Sequence, residues 1–240
     1  MRLAALAVDG AEGTSPLLDA AERCMDVAES SADQIGGLVL VNRQGDATAL
    51  EQALGLGFGG HALTLTLHAG DEGLAQSLIL GNSLLGSTSL RRVLVLLEEA
   101  SGRAGALLLE AGGPGLAAQS FGQAGESGVG ENDPTRRLLP LSRQLLAQAG
   151  WAASDVELLL TDPASLDCKE LFGLTRGDEA EGEGSVLRRI VCGPLADRLA
   201  EPARVLLMGW SPGRAFAGVA MALAGVKVAP LERWQLETAR

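Results

Sequence analysis

The residues best suited to chemistry form a short turn at positions 70–73, Gly-Asp-Glu-Gly, between two stretches of different periodicity. Residues 61–67 alternate leucine and threonine, which predicts a β-strand. From Asp71 to Leu85, apolar residues recur at helical spacing, which predicts a helix with two acids in its first turn. Many enzymes mount a nucleophile on such a strand–turn–helix unit, because the turn presents one side chain at a helix N-terminus. Here the presented side chains are carboxylates.

These carboxylates and two neighbouring histidines allow more than one interpretation. Asp71 and Glu72 could form a general acid/base pair, although acids at a helix start more commonly stabilise the helix dipole. His61 and His68 flank the predicted strand seven positions apart, so they point to opposite faces and do not form a metal pair. We interpret them as polar residues of an edge or interface, and His68 could face the site of a partner.

The overall composition excludes several classes of protein. The chain has 240 residues and a net charge of −11, which argues against binding to nucleic acid or to anionic membranes. Its three cysteines are odd in number and widely spaced, so neither a disulfide framework nor a zinc site is expected. No signal peptide and no apolar run of transmembrane length is found. We therefore expect a cytoplasmic protein without a metal or a cofactor.

The first part of the sequence alternates predicted strands and helices. A helix begins at Ser15 and Pro16, which suit the N-cap and first helical positions. The apolar run at 37–41 is short enough for a buried strand of a parallel sheet. The other predicted elements are a strand at 2–8, a short helix at 47–54, and a hairpin of strands at 92–97 and 104–110.

The second part repeats this plan. Residues 138–162 align without gaps against 17–41, and both stretches have a helix, a polar link and a buried strand. Residues 204–215 parallel 92–104 in the same way, with one residue gapped at the turn. We predict a duplicated α/β protein with halves at 1–112 and 113–240 that form one compact, five-layered αβαβα unit.

This arrangement resembles the thiolase superfamily, and within it the β-ketoacyl synthase III type of condensing enzyme. Residues 61–78 are similar to the strand, nucleophile turn and helix of that family. Residues 205–220 resemble its C-terminal glycine-rich turn. The resemblance implies a thiolase-like fold, shortened here because the insertions that build the acyl tunnel and the dimer cap are reduced.

The resemblance also implies where catalytic residues would stand. The family's nucleophilic cysteine corresponds to Asp71, its histidine corresponds to Asp162, and its asparagine falls near 187–189. Residues 133–240 contain no histidine and no asparagine, so no realignment restores the triad. An aspartate cannot form an acyl thioester. We therefore expect a catalytically degenerate site with no catalytic residue.

Members of this family are dimers in which the strand before the nucleophile turn pairs across the two-fold axis. The implied interface residues in this chain are His61, Leu63, Thr64, Leu65, Thr66 and His68. The expected function is a non-catalytic subunit that stabilises or shapes an active β-ketoacyl synthase III-like partner in fatty-acid-derived or polyketide-type secondary metabolism. Acyl carrier protein or acyl-CoA would be met through that partner. The alternative is a divergent stand-alone acyltransferase or thioester hydrolase that uses Asp71 or Glu72.

Overall fold

The computed structural model describes residues 1–10, 15–42, 62–99, 102–113, 116–123, 134–162, 187, 190–191, 196, 199, 201–211 and 214–230. Within these residues the helices are α1 (Pro16–Val27), α2 (Gly73–Ser87) and α3 (Pro134–Ala149). The strands are β1 (Arg2–Val8), β2 (Gly37–Asn42), β3 (Leu63–His68), β4 (Arg92–Glu98), β5 (Ala104–Glu110), β6 (Leu116–Gln123), β7 (Leu158–Asp162), β8 (Ala203–Ser211), β9 (Ala215–Leu223) and β10 (Lys227–Val228). One-turn 3-10 helices lie at Ala32–Gln34 and Ala153–Asp155.

The described strands form two mixed sheets. The first has the order β10-β1-β5-β4-β2-β3, and the second has the order β6-β9-β8-β7. In the first sheet β2 is parallel to both β3 and β4, whereas β4 and β5 form the predicted antiparallel hairpin. In the second sheet β7 is parallel to β8, and β8 is antiparallel to β9.

Helices cover the outer face of each sheet, and α2 lies between the two sheets. The apolar face of α1 packs on the first sheet through residues such as Leu17 and Cys24, and α3 packs on the second through Leu141 and Leu145. Helix α2 contacts both sheets, and Leu78 in its middle is almost fully buried. The layers therefore run α, β, α, β, α, as predicted.

Strand β2 shows why its sequence is continuously apolar. Leu38 and Leu40 face α1, whereas Val39 and Val41 face the central layer. Because both faces are covered, a polar residue at any of these positions would be buried without water. The same reasoning explains α2, which is apolar on nearly all sides because a sheet lies on each side of it.

The duplication is visible in the connectivity of the two sheets. The order β1-β5-β4-β2 in the first sheet corresponds to β6-β9-β8-β7 in the second. The two 3-10 helices also occupy the same position in the gapless alignment of 17–41 with 138–162. One element crosses the predicted boundary between the halves, because β10 pairs in parallel with β1 and extends the first sheet.

Both outer helices end in the same hydrogen-bonded turn. Glu29 after α1 and Gly150 after α3 have φ angles of 54° and 68°, and they occupy the same position of the repeat. In each turn the next residue donates its N–H to a carbonyl five residues earlier. The pairs are Ser30 to Met25 and Trp151 to Leu146, both at 2.9 Å. Both ends are thus Schellman-type caps.

Most predicted elements agree with the structure to within two residues. The strand at 2–8 and the strand at 104–110 have the predicted bounds, and α1 begins at Pro16 after Ser15. The central helix α2 begins at Gly73, two residues after its predicted start at Asp71, so the two acids precede the helix. The predicted helix at 47–54 lies outside the described residues.

Candidate functional site

The candidate site is the turn between β3 and α2. The Ala69 N–H donates to the Asn42 carbonyl at 3.3 Å, which ties the end of β3 to β2. The chain then turns through Gly70, whose carbonyl accepts the Gly73 N–H at 3.0 Å. Asp71 and Glu72 therefore belong to the turn that precedes the helix, and Glu72 is its N-cap residue.

The two acids of this turn have different surroundings. Asp71 is partly exposed, whereas the Glu72 residue is only 2% exposed and is among the buried polar residues of the chain. The Glu72 carboxylate accepts a hydrogen bond from the Ser211 hydroxyl, which lies at the end of β8 in the other sheet. The carboxylate that reaches the interior is thus bound by a residue from the second half.

Ser211 also contacts the backbone of the turn. Its Oγ accepts the Asp71 N–H at 2.8 Å, and its hydroxyl hydrogen is directed to Glu72. Ser211 is itself buried. One hydroxyl therefore satisfies a backbone donor and a carboxylate acceptor at the N-terminus of the central helix.

Two glycines permit this close approach of the second sheet to the turn. A Cβ at Gly209 would overlap the Asp71 carbonyl oxygen and would lie 2.5 Å from Glu72 Cα. A Cβ at Gly70 would overlap Ser211 Oγ. The absence of side chains at these two positions lets the end of β8 pack directly on the backbone of the turn.

The backbone of Asp162 lies one strand away from this contact. Asp162 is the last residue of β7, and it is paired in register with Gly209 of β8. The sequence resemblance matches Asp71 and Asp162 to the family's cysteine and histidine. Both residues lie next to Gly209, Asp162 through strand pairing and Asp71 through its backbone carbonyl. Their lack of a catalytic role stays a prediction.

The predicted interface strand lies at the edge of the first sheet. Among the described strands, β3 pairs with β2 alone. Leu63 is 43% exposed, Thr66 and His68 are exposed, and Thr64 and Leu65 are partly exposed. His61 lies outside the described residues.

The alternation of β3 assigns its two faces. Leu67 packs against the central layer, whereas Ala62 packs on the side of α1. Thr64, Thr66 and His68 therefore lie on the outer face, away from α2. Although His68 is close to the turn in sequence, its position in the strand does not direct it toward Glu72.

The residue that sequence reasoning missed is Ser211. It stands in the segment Gly-Trp-Ser-Pro-Gly at 209–213, within the stretch that resembles the family's C-terminal glycine-rich turn. Its contact with Glu72 joins residues 139 positions apart, so no local pattern reports it. The one available signal was a hydroxyl where the resemblance expects glycine.

Comparison with solved structures identifies this architecture. The chain superposes on the tetronic acid condensing enzyme AbyA1 with a TM-score of 0.75, 18% identity, and coverage of 92% of this chain and 99% of the other. It has the fold of the β-ketoacyl synthase III-type condensing enzymes.

Two further structures of this condensing-enzyme fold are similar over most of the chain. The 3-oxoacyl-(acyl-carrier protein) synthase of Burkholderia xenovorans LB400 matches with a TM-score of 0.76 and 19% identity, covering 92% of this chain and 84% of its own. The priming β-ketosynthase of the R1128 polyketide biosynthetic pathway matches with a TM-score of 0.68 and 19% identity, covering 88% and 81%. The thiolase-like fold that the sequence predicted is thus confirmed.

Comparison with family models and with curated sequences does not detect this similarity of fold. No protein-family model matches the chain, and no curated protein is significantly similar to it.

Within the described residues, none of the helices is both long and apolar enough to span a membrane.

Proposed function

We propose that this chain is a non-catalytic, ketosynthase-like subunit that pairs with an active β-ketoacyl synthase III-like protein and stabilises or shapes it. Its pathway would produce a fatty-acid-derived or polyketide-type secondary metabolite in the cytoplasm. The observation that carries the proposal is strand β3, a six-residue strand that lies at the edge of the first sheet among the strands that the structure describes and leads directly into a turn bearing Asp71. The strand offers a surface for pairing, and the turn lacks a nucleophile of the expected type.

The chemistry of the turn supports the non-catalytic part of the proposal. Acyl transfer through an enzyme-bound thioester needs a thiolate, and a carboxylate at position 71 does not supply one. The second half contributes no histidine or asparagine from residue 133 onward that could polarise a thioester carbonyl. Acyl carrier protein or acyl-CoA would therefore react on the partner.

The backbone of β3 supports the pairing part. The Leu63 N–H donates to the Gly36 carbonyl at 3.0 Å, and the Ala69 N–H also faces β2. Because N–H and C=O groups alternate sides along a strand, those of Thr64, Thr66 and His68 face the open edge. An edge of this length that stayed unpaired would favour aggregation, whereas a partner strand would satisfy its donors and acceptors.

A proline substitution on this edge tests the pairing. Thr66→Pro removes one N–H that faces the open edge and leaves the bonds to β2 intact. We expect the isolated variant to fold, with affinity for the partner reduced by at least about tenfold because an intersubunit hydrogen bond is lost. The measurement is co-purification and analytical ultracentrifugation with a co-expressed, catalytically intact β-ketoacyl synthase III-like protein.

The matched control is Thr66→Val, which keeps the backbone N–H and the strand propensity. Equal assembly of the proline variant, the valine variant and the unmodified chain would contradict pairing through β3. A monomeric chain that turns over acyl-CoA alone would contradict the subunit role itself.

The stand-alone acyltransferase or hydrolase is the competing proposal. It requires Asp71 or Glu72 to act on a bound thioester. Asp71→Ala separates the two, because the subunit proposal expects the rate of the assembled complex to change by less than about twofold, whereas a catalytic carboxylate typically contributes about 10²–10⁴-fold. Steady-state thioester turnover by the complex and by the isolated chain provides the readout.

A further inference from the structure

The Ser211 hydroxyl occupies a position in the turn that has a chemical meaning. Backbone N–H groups at a turn that opens a helix can hold the oxygen of an acyl group on which charge develops. In this chain the Asp71 N–H has such a location, and it donates to Ser211 Oγ at 2.8 Å. An oxygen of the chain itself therefore stands where an acyl oxygen would be received.

We propose that Ser211 and Glu72 act together as a built-in occupant of the turn. The Ser211 oxygen takes the place of the carbonyl oxygen of an acyl thioester at the Asp71 N–H, and Glu72 holds that hydroxyl in orientation. The inference rests on the proposed non-catalytic role and deepens it, because the site is closed by added contacts as well as by the missing nucleophile.

The pair is suited to this role because each member fixes the other. A serine hydroxyl alone rotates freely, but a carboxylate that accepts its hydrogen leaves the oxygen lone pairs directed elsewhere, here toward the Asp71 N–H. Glu72 is 2% and Ser211 is 6% exposed, so water competes little for these bonds. The carboxylate also lies at the positive end of the α2 dipole.

The surrounding backbone holds the Ser211 hydroxyl in place. Gly70 and Gly209 leave no side chain between β8 and the turn, and a Cβ at either position would displace Ser211 or the Asp71–Glu72 backbone. An incoming acyl group would therefore have to move the end of β8 before it could reach the Asp71 N–H.

Amide hydrogen exchange resolved by residue, in the isolated chain, tests the contact directly. Ser211→Ala removes the acceptor of the Asp71 N–H, and we expect exchange at this amide to accelerate at least about tenfold. The Gly73 and Gln76 amides are bonded within the same turn and helix, so they should change little. The matched control is Ser142→Ala, a buried serine of α3 whose hydroxyl donates to the nearby Leu139 carbonyl at 2.9 Å.

The outcomes separate a local role from a general one. Selective acceleration at Asp71 supports the proposal. Unchanged exchange at Asp71, or equal acceleration across the whole of α2, overturns it. If Ser211→Ala fails to fold because the Glu72 charge is stranded, the double variant Ser211→Ala with Glu72→Gln removes that charge and gives the same comparison.

Acetyl-CoA serves as the probe for the acyl group. In a chain carrying D71C, the introduced thiolate can attack the acetyl carbonyl carbon, the bond to the coenzyme sulfur breaks, and the released thiolate takes a proton from water. We expect acetylation of D71C/S211A, followed by intact mass, to exceed that of D71C by at least about tenfold. Equal rates would overturn the proposal.

These experiments do not depend on the partner. If the chain does not assemble with a partner but Ser211→Ala accelerates exchange at the Asp71 amide, the proposed function is wrong and the closed turn is supported. If the chain assembles but exchange at the Asp71 amide is unchanged, the proposed function is supported and the closed turn is wrong.

Discussion

The two halves of the molecule share the same backbone arrangement, but different side-chain interactions stabilise it. Arg92 of β4 and Arg204 of β8 are equivalent in the repeat, and each binds the chain that follows the outer helix of its half. Arg92 donates to Ser30 Oγ at 3.0 Å and to Glu110 at 2.9 Å. Arg204 lies 5.4 Å from the Trp151 ring centroid and 3.3 Å from Asp155.

Ser30 and Trp151 are themselves equivalent positions, so the same arginine meets a hydroxyl in one half and an aromatic face in the other. Guanidinium groups suit both, since they donate hydrogen bonds in their plane and stack on rings. The two halves therefore keep the same backbone geometry and an arginine at the equivalent position, whereas the groups that bind this arginine differ.

A second difference concerns the ends of the equivalent strands β4 and β8. Where β4 has the half-buried Leu97, β8 has Gly209. The first half supplies the turn of the candidate site, and the second half must leave space for it. This second asymmetry between the halves therefore lies at the candidate site.

Gly209→Val gives the largest expected effect on this comparison. The new side chain would meet backbone atoms of Asp71 and Glu72, which cannot move as a flexible side chain can. We expect the free energy of unfolding to fall by about 3 kcal/mol or more, measured by urea denaturation. Leu97→Val, at the equivalent place in the first half, should cost about 1 kcal/mol. Similar losses at both positions would show that the halves are not asymmetric at this point.

Cys24 of α1 and Leu145 of α3 occupy the same buried position of the repeat. Only Cys24 can ionise at alkaline pH, so the two halves should respond differently to alkali. Burial raises the pKa of the Cys24 thiol from 9.0 to about 12. Below pH 9 the thiol is protonated in both the folded and the unfolded chain, so the ionisation of Cys24 takes nothing from the free energy of unfolding. As the pH rises from 9 to 12 the unfolded chain ionises first, and stability should fall by about 1.4 kcal/mol per unit.

The alkaline slope is measured by denaturation in urea at a series of pH values. Cys24→Ala removes the titrating group and should flatten the slope, whereas Leu145 has nothing to ionise in the other half. An identical slope in the unmodified chain and in Cys24→Ala would contradict the assignment.

The smallest expected effects compare the left-handed residues Glu29 and Gly150. Gly150→Ala introduces a Cβ at a φ of 68° with open space around it, so only backbone strain of about 1 kcal/mol is expected. Glu29→Gly relieves the same strain in the first half and should raise the melting temperature. Because Glu29 also pairs with Lys227 at 2.8 Å, Lys227→Met is the control for the lost ion pair. A lower melting temperature for Glu29→Gly than for Lys227→Met would refute strain at this turn.

The helices and strands were predictable from sequence because local sequence patterns determine them. The apolar run of β2, the Ser15-Pro16 start of α1 and the alternation of β3 each report their element without tertiary information. The two repeats could be aligned because duplicated helices and strands keep their lengths even where residues differ.

The closure of the site was not predictable in the same way. Asp71 and Glu72 carry a pattern typical of a first helical turn, but in the structure Glu72 is the N-cap residue and its buried carboxylate accepts a hydrogen bond from Ser211. The edge position of β3 followed from the family resemblance and not from its residues, because a Leu-Thr alternation suits a central or an edge strand equally well.

Strand β10 has a consequence for synthesis on the ribosome. Residues 227–228 complete the edge of a sheet whose other strands come from residues 2–110, and the Ala229 N–H bonds the Leu6 carbonyl at 2.9 Å. During vectorial translation one edge of β1 in the nascent first sheet therefore stays unpaired until residues 227–229 have emerged. Chaperone dependence should consequently rise in truncations that end just before β10, even though they retain every residue of the candidate site.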